Sequence, residues 1–315
     1  MKKPLVIVAG PTATGKSKYS VLFSKRHNGA VISADSMQVY KYMDIGSAKI
    51  TKEEMQGVPH YLVDVLEPKE EFHVARFQSM AKDALRDIYE KNQIPVVCGG
   101  TGFYIQALLY GIDFSSGEEN NNLRQELQCF ADEHGAHALF ERLRAVDPKS
   151  CELIHENNVK RVIRAIEYYE TTGKPISLHN AREKEKESEY NFAFFVLNDD
   201  RQKLYDGIDR RVDEMVEMGL FDEVKRLKEM GYSKDYVSMQ GLGYKEVLDA
   251  LNGDITFEEA VYRIKRDTRH FAKRQITWFK REKDVVWIDK SQFEYNDERI
   301  LSFIEEECKK RNILC

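Results

Sequence analysis

The sequence has no apolar run near the roughly 20 residues that a helix needs to span a bilayer. Two lysines and a short apolar stretch open the chain within Met1–Gly10, an order also found in secretory signals. The stretch is too short for a signal, and a glycine-rich loop replaces the cleavage site, so a buried strand is the better interpretation. We therefore expect a cytoplasmic protein, monomeric and without a membrane partner.

Disulfide and metal-ligand patterns are also missing. The 5 cysteines contain no CxxC pair, and the 8 histidines contain no HxxxH pair. An odd, scattered set of cysteines is typical of a reducing compartment. We assign these side chains no chemistry.

Charge is unevenly distributed along the chain. The net charge of −5 argues weakly against a nucleic-acid partner. However, the segment Arg263–Lys283 contains nine lysines and arginines and only two acids, Asp267 and Glu282. This local excess is where a phosphate backbone can bind.

Short apolar runs alternate with helical patterns such as Val74–Asn92. The predicted strands are Leu5–Ala9, Ala30–Ala34, Tyr61–Val65, Ile94–Cys98 and Asn191–Leu197. This alternation predicts an α/β fold, a P-loop NTPase-like parallel sheet flanked by helices.

Almost a hundred residues separate the last two predicted strands, and they look helical throughout. We expect an all-helical insertion domain at 117–188, within a catalytic core formed by 1–116 and 189–315. A helix should span 158–172, capped by Asn157 or Asn158 and closed by Gly173. The segment Asp199–Met230 should be helical with breaks near Gly207 and Gly219.

A basic helix is predicted over Thr256–Glu282, with Thr256 and Glu259 in a capping box. Its expected core face consists of Phe257, Val261, Ile264, Thr268, Phe271 and Trp278.

A complete P-loop motif, GxxxxGK[ST], follows the first predicted strand. It comprises Gly10, Pro11, Thr12, Ala13, Thr14, Gly15, Lys16 and Ser17. Such a loop directs backbone N–H groups at an anion, its lysine reaches the outer phosphate, and its serine ligates Mg²⁺. ATP or GTP is the usual partner, but any diphosphate ester satisfies the loop.

Two further motifs follow predicted strands and should lie at the same sheet edge. Asp35 begins the segment DSMQVY, where it either acts as a general base, holds Mg²⁺ through water, or caps local structure. Thr101 lies in the second glycine-rich turn, GGTG, where its hydroxyl can bind phosphate or base.

The chain resembles the tRNA isopentenyltransferase family of bacterial tRNA dimethylallyltransferases. The resemblance rests on GPTATGKS at 10–17, DSMQVY at 35–40, GGTGFY at 99–104, KRVIRA at 160–165, GLGYKE at 241–246 and AKRQITWF at 272–279. It implies transfer of dimethylallyl from its diphosphate to N6 of the adenosine next to the anticodon, with Mg²⁺ as cofactor. Asp35 is then the base, with Thr101 and Arg211 beside the reacting groups.

The resemblance also implies a tRNA interface. Its residues are Asp35, Ser36, Met37, Gln38, Thr101, Arg124, Lys160, Arg161, Val162, Ile163, Arg164, Gln240, Gly241, Leu242, Gly243, Tyr244, Lys245, Lys273, Arg274, Gln275, Ile276, Thr277, Trp278, Phe279 and Lys280. Lys160 departs from the glutamine usual in the family, which makes that contact more electrostatic. Trp278 or Phe279 can stack a base, although helical spacing makes core packing the simpler interpretation of Trp278.

Three alternatives remain open at this stage. A small-molecule P-loop kinase explains the P-loop but not the basic helix or the insertion. A prenyltransferase acting on free AMP or ADP does not need the insertion. A nucleic-acid-dependent NTPase would hydrolyse nucleotide when RNA binds.

Overall fold

The computed structural model describes residues 2–114 and 121–314. The chain divides into a core unit, 1–109 with 189–315, and an inserted unit, 110–188. The predicted domain boundary between 116 and 117 lies outside the described residues.

The core unit contains a six-stranded, fully parallel sheet with the strand order β3-β2-β4-β1-β5-β6. The strands are β1 (Lys3–Ala9), β2 (Gly29–Ser33), β3 (His60–Tyr61), β4 (Ile94–Gly99), β5 (Tyr190–Asn198) and β6 (Val285–Asp289). This confirms the predicted parallel α/β fold.

The two edge strands differ from the sequence prediction. β3 is only two residues long because Leu62 and Asp64 have positive φ angles of 61° and 59°, which end the extended conformation. β6 was not predicted, since this short segment is mostly half-buried and follows a charged run. The central strands carry continuous apolar runs and were predicted correctly.

Helices flank and connect these strands. They are α1 (Lys16–Arg26), α2 (Lys52–Met55), α3 (Val74–Glu90), α4 (Gly102–Tyr110), α5 (Asn121–Val146), α6 (Pro148–Cys151), α7 (Val159–Thr172), α8 (Ile176–Glu185), α9 (Arg201–Glu217), α10 (Leu220–Glu229), α11 (Tyr244–Leu251), α12 (Phe257–Phe279) and α13 (Asp297–Lys310). Among the described residues, no helix is both long and apolar enough to span a membrane.

All regular secondary structure within the described residues of the inserted unit is helical. Helix α5 is interrupted at Gly135, whose φ is 87°. Leu127 and Leu143 of α5 pack with Val162 and Ile166 of α7 in one apolar cluster. Gly173 ends α7 in the left-handed conformation, as predicted, whereas Asn158 occupies the N-cap position without a side-chain cap bond.

Two predictions about the C-terminal helices were wrong in part. α9 continues through Gly207, where the break was expected, and the chain turns at Gly219 with φ of 99°. In α12, Phe257 is exposed, and the buried residues are Ala260, Ile264, Ala272, Gln275 and Phe279. The pattern of apolar residues did not identify the buried face of α12 correctly, because that face includes the polar residue Gln275.

Candidate active site

The P-loop joins β1 to α1 through a backbone with three positive φ angles, at Gly10 (148°), Ala13 (65°) and Gly15 (86°). The Thr14 hydroxyl donates to the Pro11 carbonyl at 2.8 Å and closes the turn. A Cβ at Gly10 would lie 2.6 Å from the Leu197 carbonyl, so glycine is required there. The loop therefore has the geometry of a P-loop, in which the N-terminus of α1 can bind an anion.

Two cations without a carboxylate partner face this loop. Desolvation lowers the pKa of Lys16, which the nearby Arg211 lowers further, while Cys98 and Asp35 act in the opposite direction. Burial likewise lowers the pKa of Arg211, against the attraction of Asp35. Within the described part of the chain neither cation forms an ion pair. An anionic ligand would relieve the repulsion between them.

Asp35 follows β2 and lies half-buried. Its Oδ1 atom accepts the Met37 N–H at 2.8 Å and, more weakly, the Gln38 N–H at 3.4 Å. These bonds orient the carboxylate, as in an Asx turn. The interpretation of Asp35 as a local cap is thus correct for Oδ1. It does not exclude that Oδ2 acts as the catalytic base.

The GGTG turn lies directly beside Asp35. The Ala34 N–H donates to the Cys98 carbonyl at 2.8 Å, and the Thr101 N–H donates to the Ala34 carbonyl at 3.2 Å. A Cβ at Gly99 would lie 2.2 Å from the Ala34 carbonyl oxygen. The ends of β2 and β4 therefore approach closely and bring Asp35 and Thr101 to one place.

Helix α12 packs against both glycine-rich loops through Gln275. Its Oε1 accepts the Thr12 N–H at 3.2 Å, and its Nε2 donates to the Gly100 carbonyl at 2.9 Å. Gln275 was predicted as a tRNA contact, but its side chain is buried and forms an internal bridge instead. The one sign that Gln275 forms this bridge is that it is a polar residue buried within α12.

Trp278 and Phe279 are also engaged internally. A Cβ at Gly102 would lie 2.2 Å from Trp278 Cδ1, so the indole packs on the backbone of the turn. Phe279 is fully buried and meets Phe194 edge-on at 6.1 Å. The expectation that Phe279 stacks a base is therefore wrong, because its ring has no exposed face.

The segment 240–245 is largely internal as well. Tyr244 is fully buried, and its hydroxyl donates to Glu223 at 2.9 Å, which corrects its assignment as a tRNA contact. Burial, followed by the Glu223 carboxylate, raises the pKa of Tyr244 well above its usual value. Gly241 packs tightly on the Met37 side chain, and Gln240 remains exposed.

Sequence reasoning missed Glu223. Its buried carboxylate accepts the N–H groups of Asp44, Ile45 and Gly46 at 2.9, 2.8 and 3.1 Å, in addition to the Tyr244 hydroxyl. This residue of α10 holds the loop that follows the DSMQVY segment. No local pattern predicts the contact, since 177 to 179 residues separate the partners.

The cations of the basic segment fall into two groups. In the first half of α12 they pair with acids: Arg263 with Glu259, Lys265 with Asp213, Arg266 with Asp267, and Arg269 with Asp209. Lys273, Arg274, Lys280, Arg281 and Lys283 are exposed and form no ion pair with the residues that the structure describes. Only cations of the second group can bind phosphates without giving up an ion pair within the protein.

The inserted unit also divides its predicted tRNA contacts. Arg124 and Arg164 both bind the fully buried carboxylate of Glu167, at 2.7 Å each. Lys160 and Arg161 are exposed. Val162 and Ile163 are buried in the helical core, so as tRNA contacts they are corrected to packing residues.

Ser17 provides the candidate magnesium ligand. It lies half-buried in the first turn of α1. Mg²⁺ is commonly held by one or two protein oxygens together with phosphate and water, so a serine hydroxyl at the end of the P-loop fits this ion. Across residues 2–114 and 121–314, no cluster of three acidic, histidine or cysteine side chains offers an all-protein metal site.

Comparison with known proteins decides the family. The model for IPP transferase matches residues 38–282. The chain belongs to the IPP transferase family. A tRNA dimethylallyltransferase of Lachnoclostridium phytofermentans is 56% identical over 92% of this chain and 93% of its own length. Its counterpart in Acetivibrio thermocellus is 50% identical over 94% of this chain and 95% of its own length.

Solved structures of this family share the fold. A tRNA isopentenylpyrophosphate transferase from Bacillus halodurans gives a TM-score of 0.74 at 43% identity, covering 99% of this chain and 98% of its own. A eukaryotic dimethylallyltransferase acting on tRNA gives a TM-score of 0.83 at 29% identity, covering 98% of this chain and 80% of its own. The P-loop and sheet of this chain are thus those of an IPP transferase.

Proposed function

We propose that this enzyme transfers the dimethylallyl group of dimethylallyl diphosphate to N6 of adenosine 37, next to the anticodon of tRNA. The products are N6-isopentenyladenosine and diphosphate. The observation that carries the proposal is the convergence of the P-loop, Asp35 and Thr101 at one sheet edge, with Arg211 nearby. The enzyme is proposed to act as a monomer.

The chemistry requires a base and a stabilised leaving group. The N6 amine is a weak nucleophile because its lone pair is delocalised into the ring. As its nitrogen bonds to the allylic carbon, the carbon–oxygen bond to diphosphate breaks, and the amine proton passes to Asp35. The bonds from the Met37 and Gln38 N–H groups fix Asp35 for this step.

The departing diphosphate gains negative charge, which the P-loop amides, Lys16 and Arg211 stabilise. Both cations are desolvated and lack a carboxylate partner in the described residues, so they interact more strongly with the diphosphate than solvated cations would. Ser17 would hold Mg²⁺, which supplies further charge neutralisation.

The tRNA substrate is supported by exposed cations in two places. Lys160 and Arg161 lie at the start of α7, Lys273 lies in the second half of α12, and Lys280 directly follows that helix. Basic side chains of this kind bind phosphates of an anticodon stem-loop. A scattered set of unpaired cysteines supports the cytoplasm as the location.

The test incubates the protein with unmodified tRNA, Mg²⁺ and radiolabelled dimethylallyl diphosphate, and counts label in precipitated RNA. Label in RNA that disappears with Asp35→Ala, while tRNA binding remains, supports both the reaction and the base. Turnover unchanged in Asp35→Ala would remove Asp35 as the base. ATP consumed on a small acceptor, with no labelled RNA, would instead favour a kinase.

A further inference from the structure

A groove lies at the same carboxyl edge of the sheet as the P-loop. Its volume is about 740 Å³, and it opens between the start of α9, the second half of α12 and β6. We call it the β6 groove and define it by Arg201, Tyr205, Lys273, Lys280, Trp287 and Asp289. Its floor continues to the active site, because Ala13 of the P-loop packs on the same apolar cluster as Tyr205.

The groove carries cations that nothing in the described chain neutralises. Lys273 and Lys280 form no ion pair there, and Arg201 contacts only the Tyr205 ring, at 5.3 Å. The lining has three cations, Arg201, Lys273 and Lys280, and two acids, of which Asp199 is already paired with Lys290 at 3.1 Å. The groove therefore attracts an anion.

Two observations favour a polyanion over a small anion. The unpaired cations continue past the groove to Arg281 and Lys283, which suits a chain of phosphates more than a single one. Trp287 is 36% exposed on edge strand β6 and presents an aromatic surface beside these cations. Cations tracking a backbone next to an aromatic stacking surface are the features with which proteins bind unpaired RNA.

We propose that the β6 groove binds the RNA backbone of the tRNA substrate, with Arg201 and Lys280 on phosphates and Trp287 stacked on an unpaired base. This rests on the proposed function, and it extends the tRNA interface from α12 across to α9 and β6. It also confines the phosphate contacts of α12 to its second half.

The experiment measures binding of an unmodified anticodon stem-loop RNA at several salt concentrations, without prenyl donor. Arg201→Ala combined with Lys280→Ala should lower the slope of log affinity against log salt by about 0.7–0.9 per lost phosphate contact. Lys265→Ala is the matched control, because it removes the same charge from a side chain already paired with Asp213. Its slope should be unchanged.

Trp287 is tested separately. Trp287→Leu should weaken RNA binding at least about fivefold, and Trp287→Phe should restore most of it, since stacking contributes about 1–3 kcal/mol per base, a few-fold or more in affinity. Pyrophosphate binding and melting temperature should stay at wild-type values in every variant, which separates a lost contact from misfolding.

The outcomes distinguish this inference from the proposed function. RNA binding with the expected slope change, but no prenyl transfer by the wild type, would keep the groove and reject the reaction. Suppose instead that prenyl transfer is normal and the salt slope of RNA binding in the Arg201→Ala, Lys280→Ala double variant equals that of Lys265→Ala. This result would show that the β6 groove does not bind RNA. AMP binding is titrated in parallel on the same variants. A double variant that loses AMP binding without any change in the RNA slope would also overturn the proposal, by assigning the groove to a small anion.

Discussion

The side chain of Gln275 joins Thr12 of the P-loop to Gly100 of the second glycine-rich turn. It accepts from the Thr12 N–H at 3.2 Å and donates to the Gly100 carbonyl at 2.9 Å. A Cβ at Gly100 would lie 2.1 Å from Gln275 Nε2, so the fit leaves no room for a side chain. One buried amide thus sets the spacing between the loop for diphosphate and the turn that carries Thr101.

Gln275→Leu should therefore weaken binding of dimethylallyl diphosphate by roughly tenfold or more. The substitution leaves the Thr12 N–H and the Gly100 carbonyl without their hydrogen-bond partner. Each buried polar group left unpaired costs about 1–3 kcal/mol of free energy. Calorimetric titration with the diphosphate measures the change, and Glu258→Gln, exposed at the start of the same helix, is the control. Wild-type affinity in Gln275→Leu would show that the bridge does not position the P-loop.

Diphosphate binding should weaken as the pH rises. Desolvation holds the pKa of free Lys16 below its usual value, and a bound anion raises it. The affinity for diphosphate is then highest below the pKa of Lys16 in the free enzyme and declines as the pH rises through that pKa. Binding in this range takes up a proton. Pyrophosphate titrations between about pH 7 and pH 10 in two buffers check this, and Lys16→Met should remove the dependence. The same slope in Lys16→Met would assign it to another group.

The exposed and the internally paired arginines of α7 should respond differently to alanine. Arg161→Ala should reduce the salt slope of tRNA binding by about 0.7–0.9 and leave stability nearly unchanged. Arg164→Ala should destabilise the protein by about 2 kcal/mol, since it removes a charged partner from the fully buried Glu167. Urea unfolding and salt-dependent tRNA binding, measured on both variants, separate the effects. The reverse pattern would mean that Arg164 is the tRNA contact.

Glu223→Gln should destabilise the protein more than Tyr244→Phe. Each carboxylate oxygen of Glu223 accepts two hydrogen bonds, so an amide NH₂ group would place a donor against two donors. We expect a loss of roughly 3 kcal/mol for Glu223→Gln and about 1 kcal/mol for Tyr244→Phe, which removes one bond. Denaturant unfolding compares them. Equal losses would mean that the backbone bonds to the 44–46 loop contribute little.

Sequence reasoning succeeded where the information is local. The central strands β1, β2, β4 and β5 are continuous apolar runs, and the P-loop has fixed residues at fixed spacing, so both were predicted. The edge strands β3 and β6 are short and partly exposed, and a hydrophobic pattern does not define them.

Contacts between distant segments were not predictable in this way. Gln275 and Glu223 contact backbone groups 263 and 179 residues away, and no periodicity specifies such pairs. Tyr244, Phe279, Val162 and Ile163 lie within motifs that match the family's tRNA-contacting segments, yet they are buried. A motif identifies a segment, whereas burial decides which of its side chains can reach a ligand.

Two glycines at helices of the core unit should respond oppositely to alanine. At Gly102 a Cβ would lie 2.2 Å from Trp278 Cδ1, whereas at Gly207 its nearest neighbour is the Ala13 Cβ at 3.8 Å, an ordinary contact. Gly207→Ala should stabilise α9 by about 0.5–1 kcal/mol through helix propensity. Gly102→Ala should lower stability and displace the indole. Thermal unfolding followed by tryptophan fluorescence measures both effects, because Trp278 is one of only 2 tryptophans. Stabilisation by both substitutions would mean that Trp278 moves freely away from the turn.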